Sequence, residues 1–453
     1  MNAGIVRWAI VSALAGFLFG FDTVVISGAE REIQALWDLS PAAHGAVIAS
    51  ALYGTVVGSV LGGYPADRWG RRATLIFIGI LYLTGSLWAA AAPDVISFSC
   101  ARILGGVGIG MSTIAAPLYI AEIAPARYRG RLAGLFQFNI VFGIVIAYLS
   151  NALLSASGPN AWRWMIAVAA LPSALYTALT FGLPESPRWL MAKGDTEAAV
   201  RVLRRIRRGS TDEEISAEAM SIRAPIAPRS PGLLRAWQSV RRSLVLAFLI
   251  AFFNQMSGIN AVLYFAPRIF ELAGLGSQAA LLQSVGIGVV NLLSTGLGLW
   301  MIDRLGRRTL LLIGSIGYVV SLSAIAYCFS QASYGAIPFL IFAFIAAHAV
   351  GQGVTIWVYI AEVFPSQFRA QGQALGSSTH WVFAALLTSV FPLAVSALSP
   401  ATVFAFFDLM MVLQLLWVCT RVVETKGATL EQIAARLNSG SGREPAPARV
   451  PGA

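Results

Sequence analysis

Asp67–Arg72 reads DRWGRR and Asp303–Arg308 reads DRLGRR, two nearly identical stretches 236 residues apart (303 − 67). Tyr119–Glu122 and Tyr359–Glu362 are both YIAE, each followed by a proline (Pro125, Pro365) and then an arginine (Arg129, Arg369), at an offset of 240 (362 − 122). Glu185 in PES and Glu424 in VET lie 239 apart (424 − 185). Self-similarity at a near-constant offset marks a repeated structural unit. The chain is therefore predicted to be a duplication.

Working outward from these polar stretches, long apolar runs lie on either side. A bilayer-spanning helix needs about 20 mostly apolar residues. Runs of that kind occur at 8–28, 44–66, 73–92, 95–121, 131–155 and 163–183, and again at 243–266, 279–301, 309–330, 335–361, 371–397 and 401–423. Composition agrees: of 453 residues 57% are hydrophobic and 12% charged, where soluble proteins carry about 25% charged residues. The prediction is an all-α polytopic membrane protein of twelve transmembrane helices in two pseudo-symmetric six-helix bundles. The bundles take residues 1–183 and 243–423, with a cytoplasmic helical linker at 184–242 and a tail at 424–453 whose Ser/Gly/Pro-rich end, Asn438–Ala453, reads as disordered.

The net charge of +11 is carried largely by loop arginines, which argues against nucleic acid as a partner. Arg68, Arg71, Arg72, Arg127, Arg129, Arg131, Arg304, Arg307, Arg308 and Arg369 fall on one side, with Arg31, Arg163 and Arg268 on the other. The arginine-rich side is cytoplasmic by the positive-inside rule, so both termini are expected inside a plasma (inner) membrane. Asp22 interrupts the first apolar run, which reads as a retained helix and not a signal peptide. Cys100, Cys328 and Cys419 sit in apolar runs without paired spacing, so neither a disulfide nor a metal is indicated. No cofactor and no nucleophile–base constellation is indicated either, which excludes an enzyme.

The ordered set GFDTVVISGA, GYPADRWGRR, ARILGGVGIG, YIAEIAPARYRGR, PESPRWL, NQMSGIN, DRLGRR, YIAEVFPSQFR and ETKGATLEQI resembles the sugar porter family of the major facilitator superfamily, over essentially residues 8–433. The resemblance implies alternating access, a monosaccharide bound between the halves, and function as a monomer in the lipid bilayer.

Asp22 carries a carboxylate into an apolar helix, which is costly in a bilayer and normally functional. Arg102 falls at comparable depth, so each lowers the other's desolvation penalty if they pair. A static ion pair joining two helices is one reading. The other is a proton site, since a neighbouring arginine depresses and burial raises a carboxyl pKa, and the family's proton symporters have this Asp and Arg. An uncoupled facilitator or a non-transporting sugar sensor are the alternatives to proton symport.

Sugar hydroxyls call for amide side chains and aromatic faces. Gln137, Gln255, Asn260 and Tyr264 supply these at membrane depth, and Asn291 is a weaker candidate. Gln255 and Asn260 are five residues apart and meet only if the helix breaks, which Ser257-Gly258 favours. By resemblance, Phe19, Gly58, Trp357 and Trp381 also line the sugar cavity. Two positions depart from the family pattern: Asn254 where a glutamine is common, and His380 where an amide is usual. The repeated motifs supply a cytoplasmic gate, in which Asp67, Arg71, Glu122, Arg129 and Glu185 are expected to face Asp303, Arg307, Glu362, Arg369 and Glu424 as a breakable ion network.

Overall fold

The computed structural model describes residues 3–125, 128–207, 210–223, 237–365, 368–428 and 432–433, all helix and loop with no strand among them. The stretch Asn438–Ala453 lies outside the described residues, as does 224–236 of the linker. In chain order the spans are α1 (Gly4–Leu36), α2 (Pro41–Leu61), α3 (Arg71–Ala91), α4 (Val95–Ile123) and α5 (Gly134–Leu154). Next comes α6, in two pieces, Ala161–Ala167 and Ala170–Thr180. After it come α7 (Val240–Tyr264), α8 (Ser277–Leu305), α9 (Arg307–Ser330), α10 (Tyr334–Glu362), α11 (Gln371–Ala397) and α12 (Pro400–Arg421).

Among the described residues, eleven of these are long and apolar enough to cross a membrane. The twelfth, α6, was expected unbroken at 163–183 and is divided instead. Pro172 has no N–H to offer the Val168 carbonyl, and the turn tightens so that Leu171 N–H bonds it at 3.2 Å. Among the described residues between α6 and α7 lie three short helices, Pro187–Ala192, Thr196–Ile206 and Asp212–Arg223. Thr196–Ile206 buries Ala199, Val202, Leu203 and Ile206 on one side while Arg201, Arg204 and Arg205 stay exposed, the pattern of a surface-lying amphipathic helix.

Three helix starts on the face opposite the arginine loops, those of α2, α4 and α12, carry polar caps. Ser40 Oγ accepts from Ala43 N, Asp94 Oδ1 from Ile96 N and Ser97 N, and Ser399 Oγ from Thr402 N, satisfying donors that the first turn leaves open. On the arginine face, Gly70 (φ 99°) and Gly306 (φ 93°) make the same left-handed turn into α3 and α9. The duplication seen in sequence is thus also a duplication of backbone geometry.

Within the first half, α1 lies against α5 at near-backbone contact: a Cβ on Gly20 would fall 1.8 Å from the Ile140 carbonyl oxygen. Small residues permit this approach, which is how spans associate when lipid removes the hydrophobic drive between them. The halves meet where α2 packs on α11, α5 on α8 and α1 on α7. Away from the arginine face, cross-half bonds seal that meeting. Arg31 pairs with Glu271 at 2.5 Å, and Arg268 reaches Gln34 at 2.9 Å and Glu30 at 3.3 Å. Tyr53 meets Ser389 at 2.5 Å, and the Tyr148 hydroxyl donates to the Leu263 carbonyl at 2.7 Å. Glu30 and His44, both fully buried, lie 2.9 Å apart in the same seal.

Candidate functional site

Asp22 on α1 and Arg102 on α4 form an ion pair, Nη1 to Oδ1 at 2.5 Å, with side chains 10% and 4% exposed. A second guanidinium nitrogen lies 3.4 Å from the Asp22 backbone carbonyl. Asp22 Oδ2 and Arg102 Nε are buried without a hydrogen-bond partner among the described residues. The pair is therefore incompletely satisfied, with a lone pair of the carboxylate left without a donor.

One residue along, Thr23 enters the wall of a central cavity between the halves. The cavity measures about 120 Å³, against roughly 10–15 Å³ for a single water on the same measure, so it admits a small solute. Nine of the residues singled out in the sequence line it: Phe19, Gln137, Asn254, Gln255, Asn260, Asn291, Trp357, His380 and Trp381. Phe19 of the first half and Trp381 of the second meet edge to face at 5.3 Å across the interface, and the His380 ring lies between Trp357 and Trp381 at 5.0 and 4.7 Å. Aromatic faces beside amides are the surface that a hydroxylated ring needs.

The break in α7 falls where the sequence placed it. Helix stops at Met256, Gly258 adopts φ 80°, and helix resumes at Ile259. Asn260 Nδ2 consequently reaches Gln255 Oε1 at 2.7 Å, and Gln255 Nε2 donates to Asn254 Oδ1 at 2.9 Å and lies 3.1 Å from His380 Nδ1. Four polar side chains from two spans thus form one connected chain on the second-half wall.

Two expected lining residues do not line the cavity. Gly58 is an α2–α4 contact, where a Cβ would sit 2.2 Å from the Val107 carbonyl oxygen; its smallness serves packing. Tyr264 is 1% exposed and turns toward the ion pair, with Thr23 as its hydroxyl partner and the Asp22 and Arg102 charges acting on it.

The repeated motifs form two matching networks, and each closes within its own half instead of facing the other. Arg71 grips Glu122 in a fork, at 2.9 Å from both Nε and Nη2, and reaches Asp67 at 3.1 Å. Arg307 grips Glu362 at 3.1 and 2.9 Å and reaches Asp303 at 3.1 Å. Glu185 accepts from the Arg71 and Arg72 backbone N–H at the start of α3, and Glu424 does the same for Arg307 and Arg308 at the start of α9. A carboxylate at a helix N-terminus satisfies open donors and opposes the dipole's positive end. Burial pushes the Glu185 carboxyl up, and the N–H groups of Ser186, Arg72 and Arg71 pull it back down. Arg369 joins neither network among the described residues, its Nε buried without a partner. The Arg129 side chain lies outside them.

Sequence reasoning missed three polar cavity residues, Thr23, Thr295 and His348. The threonines carry no signal at sequence level. His348 does: it is one of only three histidines in the chain and sits inside an apolar run.

A family model described as "Sugar (and other) transporter" matches residues 8–437. The "Arabinose-proton symporter" of Bacillus subtilis is 34% identical over 432 residues, covering 93% of this chain and 92% of the relative. The inward-open structure of the xylose transporter XylE from E. coli superposes with a TM-score of 0.83 at 31% identity, over 95% of this chain and 99% of that one. The proton:xylose symporter XylE bound to 6-bromo-6-deoxy-D-glucose gives a TM-score of 0.77 at 30% identity, over 96% and 99%.

Proposed function

The chain belongs to the sugar porter family of the major facilitator superfamily, a family of membrane transporters and not enzymes, and from that premise we propose that it carries a monosaccharide inward together with a proton. The observation that carries the proton half of this reading is the buried Asp22–Arg102 pair beside the cavity, with Asp22 Oδ2 unpartnered. Protonating Asp22 removes its charge, releases Arg102 and lets α1 and α4 move relative to each other; deprotonation restores the pair. A cycle that alternates these states loads a proton on one side and releases it on the other.

The sugar occupies the cavity against Gln137, Gln255, Asn260 and Asn291, stacked on Trp357 and Trp381. Asn254 and His380 shape which hydroxyls are satisfied. The substrate is a hexose such as glucose, or a related sugar. Bonds across the halves on the side away from the arginine loops, together with motif networks closed within each half, fit a transporter open to the arginine face. The higher TM-score to the inward-open relative than to the ligand-bound one supports the same reading. With that face cytoplasmic, both termini lie inside the plasma membrane, and the bundles 1–183 and 243–423 rock as bodies about the cavity, joined by 184–242. In the outward-open state the networks of Arg71 and Arg307 come together as the inner gate. The monomer is sufficient for all of this.

The test is uptake into proteoliposomes. Symport predicts that a lower external pH accelerates accumulation of D-glucose, D-galactose, D-xylose or L-arabinose, and that a protonophore abolishes it. Uptake that equilibrates but never exceeds the external concentration establishes the uncoupled facilitator instead, and absence of any counterflow establishes a sensor.

A further inference from the structure

His348 sits in the wall of the cavity at the point where α10 loses its regular winding. The five residues that follow it, Ala349–Gly353, are wound as a π-helix, a geometry that recurs at functional sites because it re-aims side chains without breaking the span. The ring is held from behind. Tyr318 of α9, fully buried, places its hydroxyl 2.6 Å from His348 Nδ1. The other ring nitrogen, Nε2, has no hydrogen-bond partner among the described residues and lies beside Gly353, a cavity residue where even a Cβ would be 3.6 Å away.

Proton counting decides what Nε2 presents. The 2.6 Å bond to Nδ1 is the hydrogen bond of the phenol among the described residues, so a hydrogen on Nδ1 would leave the buried hydroxyl proton without an acceptor, a cost that a donating hydroxyl avoids. The other polar neighbour of the phenol is Ser257, in the break of α7. Its Oγ gives its own proton to the Asn254 carbonyl at 2.6 Å and accepts from Ile259 N–H at 3.3 Å. Of these two neighbours only Nδ1 stands within hydrogen-bond geometry of the Tyr318 hydroxyl, so the phenol proton goes to His348, Nδ1 is an acceptor, and the ring hydrogen of the neutral imidazole sits on Nε2.

Resting on the reading of the cavity as a sugar site, we propose that His348 is a specificity-determining residue that donates one hydrogen bond from Nε2 to a single oxygen of the sugar, with Tyr318 as the positioning residue that fixes the donor tautomer. The amides nearby can donate or accept by turning over; a ring locked by Tyr318 can only donate. It adds to the site a one-way reader of an acceptor oxygen.

The experiment is competition against counterflow in proteoliposomes. The labelled sugar is whichever of D-glucose, D-galactose, D-xylose and L-arabinose the wild type exchanges fastest, and the competitors are its complete sets of monodeoxy and monodeoxyfluoro derivatives. In the wild type, deoxygenation at the carbon facing His348 weakens competition roughly ten-fold, the effect of one neutral hydrogen bond together with the donor left bare. Fluorine there accepts without donating and recovers part of that loss. In His348→Leu the deoxy penalty disappears at that carbon alone and persists at the others. In Tyr318→Phe the ring takes either tautomer, and the advantage of the fluoro over the deoxy compound shrinks. His348→Gln, which can still donate, retains part of the penalty and guards against a Leu variant that fails to fold.

Deoxy penalties that are the same at every carbon in wild type and His348→Leu overturn the proposal, while the sugar assignment stands. A fluoro derivative no better than the deoxy one at the affected carbon overturns the donor assignment. Failure of the wild type to exchange any of the four sugars removes the proposed function and this inference with it.

Discussion

Replacing Asp22 by Asn keeps the shape of the side chain and removes both the charge and the titratable proton. Two consequences separate. The first is energetic coupling: one proton moving through 100 mV contributes about 2.3 kcal/mol, which corresponds to roughly fifty-fold accumulation of a neutral sugar. Asp22→Asn is expected to bring accumulation to unity while counterflow exchange, which needs no net proton movement, continues. The second is stability. The Arg102 side chain is 4% exposed and Asp22 Oδ1 is its charge partner at 2.5 Å. Removing one member of a buried pair costs about 3–5 kcal/mol because the other charge stays buried, and the Asn oxygen, still able to accept, places this variant near the lower end. Thermal unfolding in detergent reads that loss. The double variant Asp22→Asn with Arg102→Gln has no stranded charge, so it recovers much of the stability but none of the coupling, and the non-additivity measures the pair. Concentrative uptake by Asp22→Asn refutes the proton-site argument. Loss of exchange together with accumulation in a protein that still unfolds cooperatively refutes it as well, by making the pair a structural clamp.

Gly20→Leu forces a side chain where a Cβ already lies 1.8 Å from the Ile140 carbonyl oxygen, so α1 and α5 must separate; overpacking of this kind costs about 1–3 kcal/mol or more, read as a lower melting temperature and lost transport. Glu122→Gln and Glu362→Gln break twin forks, but the Glu122 side chain is 8% exposed and Glu362 25%. Solvent screens the second charge more, so thermal shift should rank Glu122→Gln as the more destabilising. Arg268→Gln withdraws the cation that links the short helix after α7, Ala266–Leu272, to Glu30 and Gln34 across the seal. It is expected to move the equilibrium toward the outward-facing state by on the order of ten-fold, seen as faster labelling of Ser389→Cys by a membrane-impermeant maleimide in a background lacking the native cysteines. An unchanged labelling rate removes this contact from the gating equilibrium.

Sequence determined the features that depend on composition and on residue type at fixed spacing. Hydrophobic runs long enough for a bilayer gave the spans, since lipid leaves an unpaired backbone only the helix. Recurrence of DRWGRR, YIAE and Glu185 in the second half gave the duplication, because each motif contains what its turn requires: a glycine at positive φ, an arginine to fork a carboxylate, and a glutamate to cap the next helix. The α7 break was legible in Ser257-Gly258 for the same reason, and with it the meeting of Gln255 and Asn260. What the sequence could not decide was direction and distance between spans. Gly58 and Phe19 look equally suited to a cavity wall, yet helix rotation turns one into the α2–α4 contact and the other into the cavity. Tyr264 faces the ion pair because the α7 break rotates the segment that follows. The motif networks looked like a single gate, and the tertiary structure set each within its own half, because that question depends on how two rigid bundles are tilted. His348 acquired its role only when α9 brought Tyr318 behind it, a contact between residues 30 apart in the chain that no local pattern encodes. Residue chemistry is local and legible, whereas the rotation of one helix against another is fixed only by the packing of all of them.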